Sequence, residues 1–293
     1  MRKSLALIKV LRPEQWVKNL FLFIPIFFSG ELANRIKLET TLLAFLGFCF
    51  TASAIYIIND LRDIESDRQH PTKHTRPLAS GLVSRKQALF LFCLLLLCGS
   101  VLSYFTGNPY FWFIISFYFL LNIAYSYGLK KISIIDILIV ASGFVFRTIA
   151  GGLVASVQVS QWMVVMIFLL ALFLAVAKRR DDLIVFEQSG KVMRKSIEHY
   201  NLEYINAVLI MISGVIIVAY LMYVISPEVI NRFHSQHLYL TSIFVIAGIM
   251  RYLQITLVEN KSGSPTKILY SDNFIRIVLI GWIITFYLII YKL

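Results

Sequence analysis

Residues 59–81 read NDLRDIESDRQHPTKHTRPLASG, a stretch whose residue types and spacing suit a metal-bound diphosphate. Asp60, Asp63 and Asp67 stand at i, i+3 and i+7, with Asn59 four positions before Asp63. If the preceding apolar helix runs on past the membrane, the three carboxylates share one face. They repel one another there unless a cation neutralises them. A hard divalent cation such as Mg2+ takes oxygen ligands, usually one or two carboxylates with water and substrate phosphates. Asn59 adds a neutral oxygen, or an amide donor toward phosphate. Pro71 and Pro77 then stop the helix, so Lys73 and Arg76 can fold back toward the acids. Acids for Mg2+ beside bases for phosphate oxygens form a layout for binding a diphosphate. The plainer alternative is a solvated helix end with local ion pairs. The position at a membrane boundary favours the site.

Other residues carry weaker signals. Arg147 lies in the middle of an apolar run, where an unpaired charge is expensive and functional by default. It is expected to face a cavity and bind a lipid or substrate phosphate; pairing with Asp136 is the structural alternative. Lys18 and Asn19 begin the first apolar run, and Tyr125 and Lys130 end the fourth. Each is placed to bind a phosphate or to anchor at the interface. Trp16 reads as an interfacial residue, and Gly143, Gly151 and Gly152 as sites of close helix packing. His234 and His237 read as loop residues. Cys49, Cys93 and Cys98 lie inside apolar runs, which argues against a disulfide framework or a metal knuckle. No Ser/His/Asp or Cys/His constellation competes for the chemistry.

The elements that must position these residues are membrane helices. The 293 residues are 58% hydrophobic and 14% aromatic, with only 15% charged. A soluble domain needs more polar surface than that. The N-terminus reads as a basic amphipathic segment rather than a signal peptide. Apolar runs long enough for the bilayer core fall at about 16–33, 40–58, 87–106, 109–127, 133–155, 160–177, 205–225, 237–257 and 274–291. The expected fold is therefore a single all-α integral membrane domain of nine transmembrane helices. Of the 28 Lys and Arg, 22 fall in loops or near span ends on one side and four on the other. The positive-inside bias then puts the N-terminus and both large charged loops in the cytoplasm. The net charge of +12 fits basic loops, anionic lipid and a phosphate-rich substrate, with no need for nucleic acid.

The motif Asn59-Asp60-x-x-Asp63-x-x-x-Asp67, followed by Arg76-Pro77-Leu78-x-x-Gly81, resembles the first aspartate-rich motif of the UbiA superfamily of intramembrane prenyltransferases. A narrower likeness rests on Arg12-Pro13-x-Gln15-Trp16-x-Lys18-Asn19, Asp67-Arg68-x-His70-Pro71-x-Lys73, Tyr125-Ser126-x-x-Leu129-Lys130, Ala141-Ser142-Gly143-Phe144-x-x-Arg147 and Arg251-Tyr252-Leu253. Together, over residues 10–273, these resemble the decaprenyl-phosphate phosphoribosyltransferase branch. After the sixth run, Ala177-Lys178-Arg179-Arg180-Asp181-Asp182-Leu183 lacks the D-x-x-x-D spacing of aromatic prenyltransferases. Lys178-Arg179 with an acid at Asp182 is similar to the phosphoribosyltransferase branch, and the extra Asp181 departs from it.

The resemblance implies a UbiA-like bundle in a bacterial inner membrane, with its site facing the cytoplasm. It implies a Mg2+ ion held by Asp60, Asp63 and Asp67. It implies transfer of 5-phosphoribose from phosphoribosyl pyrophosphate (PRPP) to a polyprenyl phosphate, with Lys178 and Arg179 suited to the 5-phosphate. The first rival is a prenyltransferase moving an isoprenyl group from a diphosphate to an aromatic acceptor. The second is a transporter of a phosphorylated solute, which the scarcity of mid-membrane polar residues disfavours.

Overall fold

The computed structural model describes every residue except 1, 70–72, 190–194, 261–267, 269–270 and 292–293. His70, Pro71 and Thr72 of the first motif lie outside the described residues, as do Lys191, Arg194, Lys261, Lys267 and Lys292. The chain separates into two compact units, one of residues 1–130 and 143–159, the other of 131–142 and 160–293.

The first unit is built around α3 (Arg35–Arg62). Asn34 starts this helix by accepting a hydrogen bond from the Lys37 N–H, satisfying an orphan donor of the first turn. Before it come α1 (Arg2–Leu11), a 3-10 segment Pro13–Phe23 and the short α2 (Ile24–Phe28). After it come α4 (Ile64–Gln69), α5 (Arg85–Phe105) and α6 (Pro109–Tyr127). A reciprocal Ser84–Gln87 capping box opens α5, and Asn108 with Pro109 opens α6. One part of the core gathers Leu22, Phe48, Phe111, Ile115 and Tyr118. Another packs Ala6 and Val10 of α1 on Ile57, Ile64 and Leu78.

The helix α7 (Ile135–Val154) contributes its later half, from Gly143, to this unit. A Cβ on Gly151 would meet the backbone carbonyl of Leu22 in direct collision. The 3-10 segment can therefore approach α7 only because this residue is glycine. Gly151→Ala should lower stability by about 1–3 kcal/mol, as overpacking does. Thermal unfolding in one fixed detergent reads this directly, and an unchanged midpoint would refute it.

The second unit contains the start of α7, then α8 (Gln161–Ser189), α9 (Leu202–Val224), α10 (Pro227–Phe233), α11 (Ser242–Leu253) and α12 (Asn273–Tyr291). Its core packs Phe173, Ile205, Leu209, Tyr252 and Ile255. A π-helical turn, Gln254–Val258, extends α11. Arg251 there bonds Asp272 Oδ2 at 2.7 Å and Glu259 Oε1 at 2.9 Å.

Among the described residues eight helices are long and apolar enough to cross a membrane. They expose large apolar side chains such as Phe90, Phe113 and Ile277, each at least 70% exposed, which suits hydrocarbon rather than water. The protein is an all-helical, multi-pass membrane protein. The ninth expected run, 16–33, is not one long helix but the 3-10 segment and α2. Pro25 and Gly30 at φ 76° divide it, and Arg12 in the left-handed region (φ 53°) turns the chain just before it. The charged stretch after 177, expected as a loop, is instead the last three turns of α8. No Gly or Pro interrupts 161–189, and Arg179 pairs with Asp182 three residues on.

Candidate active site

The first acidic stretch is helical on both sides of one break. α3 ends at Arg62, Asp63 caps it with φ −92° and ψ 9°, and α4 resumes at Ile64. The three carboxylates therefore do not all share one face of a continued helix, as the spacing alone implied. Asp60 and Asp67 are buried and converge, whereas Asp63 turns to a different partner.

Asp60 Oδ1 accepts from Arg12 NH2 at 2.5 Å and from Arg76 NH1 at 3.2 Å. The same Arg76 nitrogen donates to Asp67 Oδ2 at 2.6 Å. The fold-back of Arg76 expected from the proline turn is thus present, and Arg12 joins it from 48 residues upstream. The Arg12 guanidinium also lies 4.9 Å from the Tyr56 ring centroid. Asp63 receives Lys130 Nζ at 2.7 Å and 2.9 Å, and the same ammonium donates to Asn59 Oδ1 at 3.2 Å. Asn59, Asp60, Asp63, Asp67, Arg76 and Lys130 are therefore brought together in the first unit. Lys18, Lys73 and Tyr125 belong to the same unit and are half-buried.

Arg147 does not pair with Asp136. Its Nε donates to Asn19 Oδ1 at 2.7 Å, NH1 to the Gly143 carbonyl at 2.7 Å and NH2 to the Tyr118 hydroxyl at 2.8 Å. All three acceptors are neutral, and the guanidinium is enclosed by the rings of Phe48, Tyr118 and Phe144. Asn19 in turn donates to Cys49 Sγ at 3.2 Å. A desolvated cation held only by neutral groups leaves its charge to be balanced by an anion.

In the second unit Arg179 is buried and bonds Asp136 Oδ2 at 2.6 Å and Asp182 Oδ2 at 3.3 Å. Ser196 Oγ also donates to Asp136 Oδ2, at 3.1 Å. Two carboxylates thus engage the arginine expected to meet a phosphate, while Lys178 beside it is exposed. Nearby, Tyr200 accepts from the Ile134 N–H at 2.5 Å, and burial pushes its phenol above the ordinary value. Arg12 and Tyr118 as partners in these networks were not singled out by spacing, and Asp136, offered as the alternative partner of Arg147, pairs with Arg179 instead. An acid in the first turn of an apolar helix was the available signal for Asp136.

Among the described residues no three His, Cys, Asp or Glu side chains are gathered as a metal cluster. The donor chemistry nevertheless fits a hard cation, because every candidate ligand is an oxygen. Asp60 and Asp67 meet on one Arg76 nitrogen, so the space between them already favours positive charge.

The model of the UbiA prenyltransferase family matches residues 22–280. A protein of Mycolicibacterium smegmatis named decaprenyl-phosphate phosphoribosyltransferase is 34% identical over 95% of this chain and 90% of its own length. One of the same name from Corynebacterium glutamicum is 31% identical, covering 99% of this chain and 88% of its own. A solved UbiA homolog from Archaeoglobus fulgidus, bound to DMAPP and Mg2+, superposes with a TM-score of 0.72. It covers 98% of this chain and 99% of its own at 20% identity, a likeness of fold. The protein is a transferase and belongs to the UbiA prenyltransferase family.

Proposed function

We propose that the protein transfers 5-phosphoribose from PRPP to a polyprenyl phosphate, releasing pyrophosphate, at the cytoplasmic face of a bacterial inner membrane. The observation that carries this reading is the cluster of buried Asp60 and Asp67 with half-buried Arg12 and Arg76, and Asp63, Asn59 and Lys130 beside it. The choice of donor rests on the full-length relatives named as phosphoribosyltransferases.

Mg2+, held by Asp60, Asp63 and Asp67, would stabilise the charge that gathers on the departing pyrophosphate. Arg12, Arg76 and Lys130 supply the cations for phosphate oxygens, and their carboxylate partners orient them before substrate arrives. Lys18, Lys73, Tyr125 and Asn59 are assigned to the same phosphates. Arg147, set in place by Asn19 and Tyr118, is assigned to the acceptor phosphate. Lys178, with Arg179 and Asp182 behind it, is assigned to a phosphate in the second unit. The C1–O bond to pyrophosphate breaks and its electron pair leaves with that group. The lipid phosphate oxygen then bonds C1 from the opposite face. That oxygen is already anionic, so no general base is required.

Labelled PRPP, polyprenyl phosphate and Mg2+ added to proteoliposomes should yield labelled lipid and an equal amount of pyrophosphate. Chelation of the metal should stop both. Turnover of an isoprenyl diphosphate with an aromatic acid, and none of PRPP, would reverse the assignment.

A further inference from the structure

Tyr56 stands on α3 one turn before Asp60 and about two turns after Phe48. The Arg12 guanidinium that bonds Asp60 lies 4.9 Å from its ring centroid. The residue is half-buried, and its hydroxyl is neither bonded to another described residue nor fully enclosed. An unbonded hydroxyl turned to lipid tails would be costly. Tyr56 has polar surroundings instead, because the charges of Arg147, Arg12, Glu14 and Asp60 all act on its phenol. Two of these groups are acids, yet neither accepts its proton in a hydrogen bond. The O–H is left for a ligand.

The two basic centres on either side of it belong to the first unit. At one, Arg12 and Arg76 are balanced by Asp60 and Asp67. At the other, Arg147 meets three neutral acceptors, which leave its charge unbalanced and two of its five N–H donors unused. α3 runs past both. The Phe48 ring lies 5.8 Å from the Arg147 guanidinium carbon and 5.3 Å from the Tyr118 ring. Asp60 is just over three turns further along, or about 18 Å, so Tyr56 falls between the two levels. Its phenol and that of Tyr118, which accepts from Arg147, also act on one another.

We propose that the Tyr56 hydroxyl donates a hydrogen bond to the phosphate of the isoprenoid acceptor, holding it between Arg147 and the Asp60 cluster. This assignment rests on the proposed transfer reaction. A phosphate bonded to Arg147 alone would sit toward the Phe48 level, whereas the donor bond to be broken belongs beside Asp60. A hydrogen-bond donor one turn from Asp60 draws the attacking oxygen toward that bond. A role in packing under Arg12 would need only the ring, which phenylalanine also supplies.

The test uses the full-length chain in nanodiscs of neutral lipid. It is titrated calorimetrically with farnesyl phosphate, a short isoprenyl monophosphate, and separately with PRPP and Mg2+. Tyr56→Phe keeps the ring beneath Arg12 and removes the hydroxyl alone. Farnesyl phosphate binding should weaken on the order of 10-fold, with PRPP binding changed by less than about twofold. The unfolding temperature without ligand should not fall, because the deleted hydroxyl had no protein partner. In turnover, KM for the lipid phosphate should rise while KM for PRPP holds. Unchanged affinity for farnesyl phosphate, or a loss confined to PRPP or equal for both ligands, would overturn the assignment. Wild-type protein that binds farnesyl phosphate but not PRPP would refute the transfer reaction, and the variant would still decide this contact.

Discussion

Asp63→Asn should lower transfer on the order of 10²–10⁴-fold while leaving thermal unfolding almost unchanged. The catalytic part follows from the proposed role as a metal ligand, where removing several kcal/mol of charge stabilisation slows the reaction tenfold per ~1.4 kcal/mol. The stability part follows from exposure. The Asp63 and Lys130 side chains are 25% and 20% exposed, and such a partly solvated pair contributes about 0–1 kcal/mol. Asp60→Asn should behave differently. Its carboxylate is 4% exposed and faces both Arg12 and Arg76; the Arg12 guanidinium would lose its counter-charge, and Arg76 would be left with Asp67 alone. Activity and stability should then fall together, with a stability loss of about 3 kcal/mol. Steady-state turnover and thermal unfolding, measured on both variants in one lipid mixture, separate the cases. Activity within tenfold of wild type for Asp63→Asn would remove this residue from the site.

Asp136→Ala should destabilise the protein by about 3–5 kcal/mol, the largest loss expected of a substitution away from the first cluster. Asp136 and Arg179 side chains are 0% and 3% exposed, and the ion pair between them is 2.6 Å long. Truncation leaves a buried guanidinium with only the longer contact to Asp182, and it strips Ser196 of its acceptor. The double variant Asp136→Ala with Arg179→Met should recover part of the loss, since it removes the stranded charge as well. An unfolding midpoint for Asp136→Ala close to wild type would show that Asp182 alone compensates the arginine.

Both expectations depend on partners that spacing could not choose. Asp60 and Asp67 sit seven positions apart, two turns of helix, and their shared face was legible from the motif. Asp63 belonged to the same face by count, yet the helix breaks at that residue and its carboxylate turns to Lys130, 67 positions away. Arg147 was recognisable as an anomaly from one charge in an apolar run. Its partners were not, because Asn19 is 128 positions upstream and Tyr118 lies on another helix. The burial of Arg180 has no signal in the spacing of its motif.

By itself the sequence determined that this is a multi-pass helical protein, because bilayer thickness demands apolar runs of a length that few other structures use. It also determined where the acids, bases and breaking prolines fall along those helices, through the fixed 3.6-residue period. Eight of the nine apolar runs became long helices; the first, divided by Pro25 and Gly30, did not. Only the tertiary structure decided that Asp136 neutralises Arg179 rather than Arg147, and that Arg12 completes the Asp60 cluster. The physical reason is range. Helical period constrains neighbours three or four residues apart, whereas pairing between helices is set by packing, by which small residues such as Gly151 allow close approach, and by which buried charge most needs a partner.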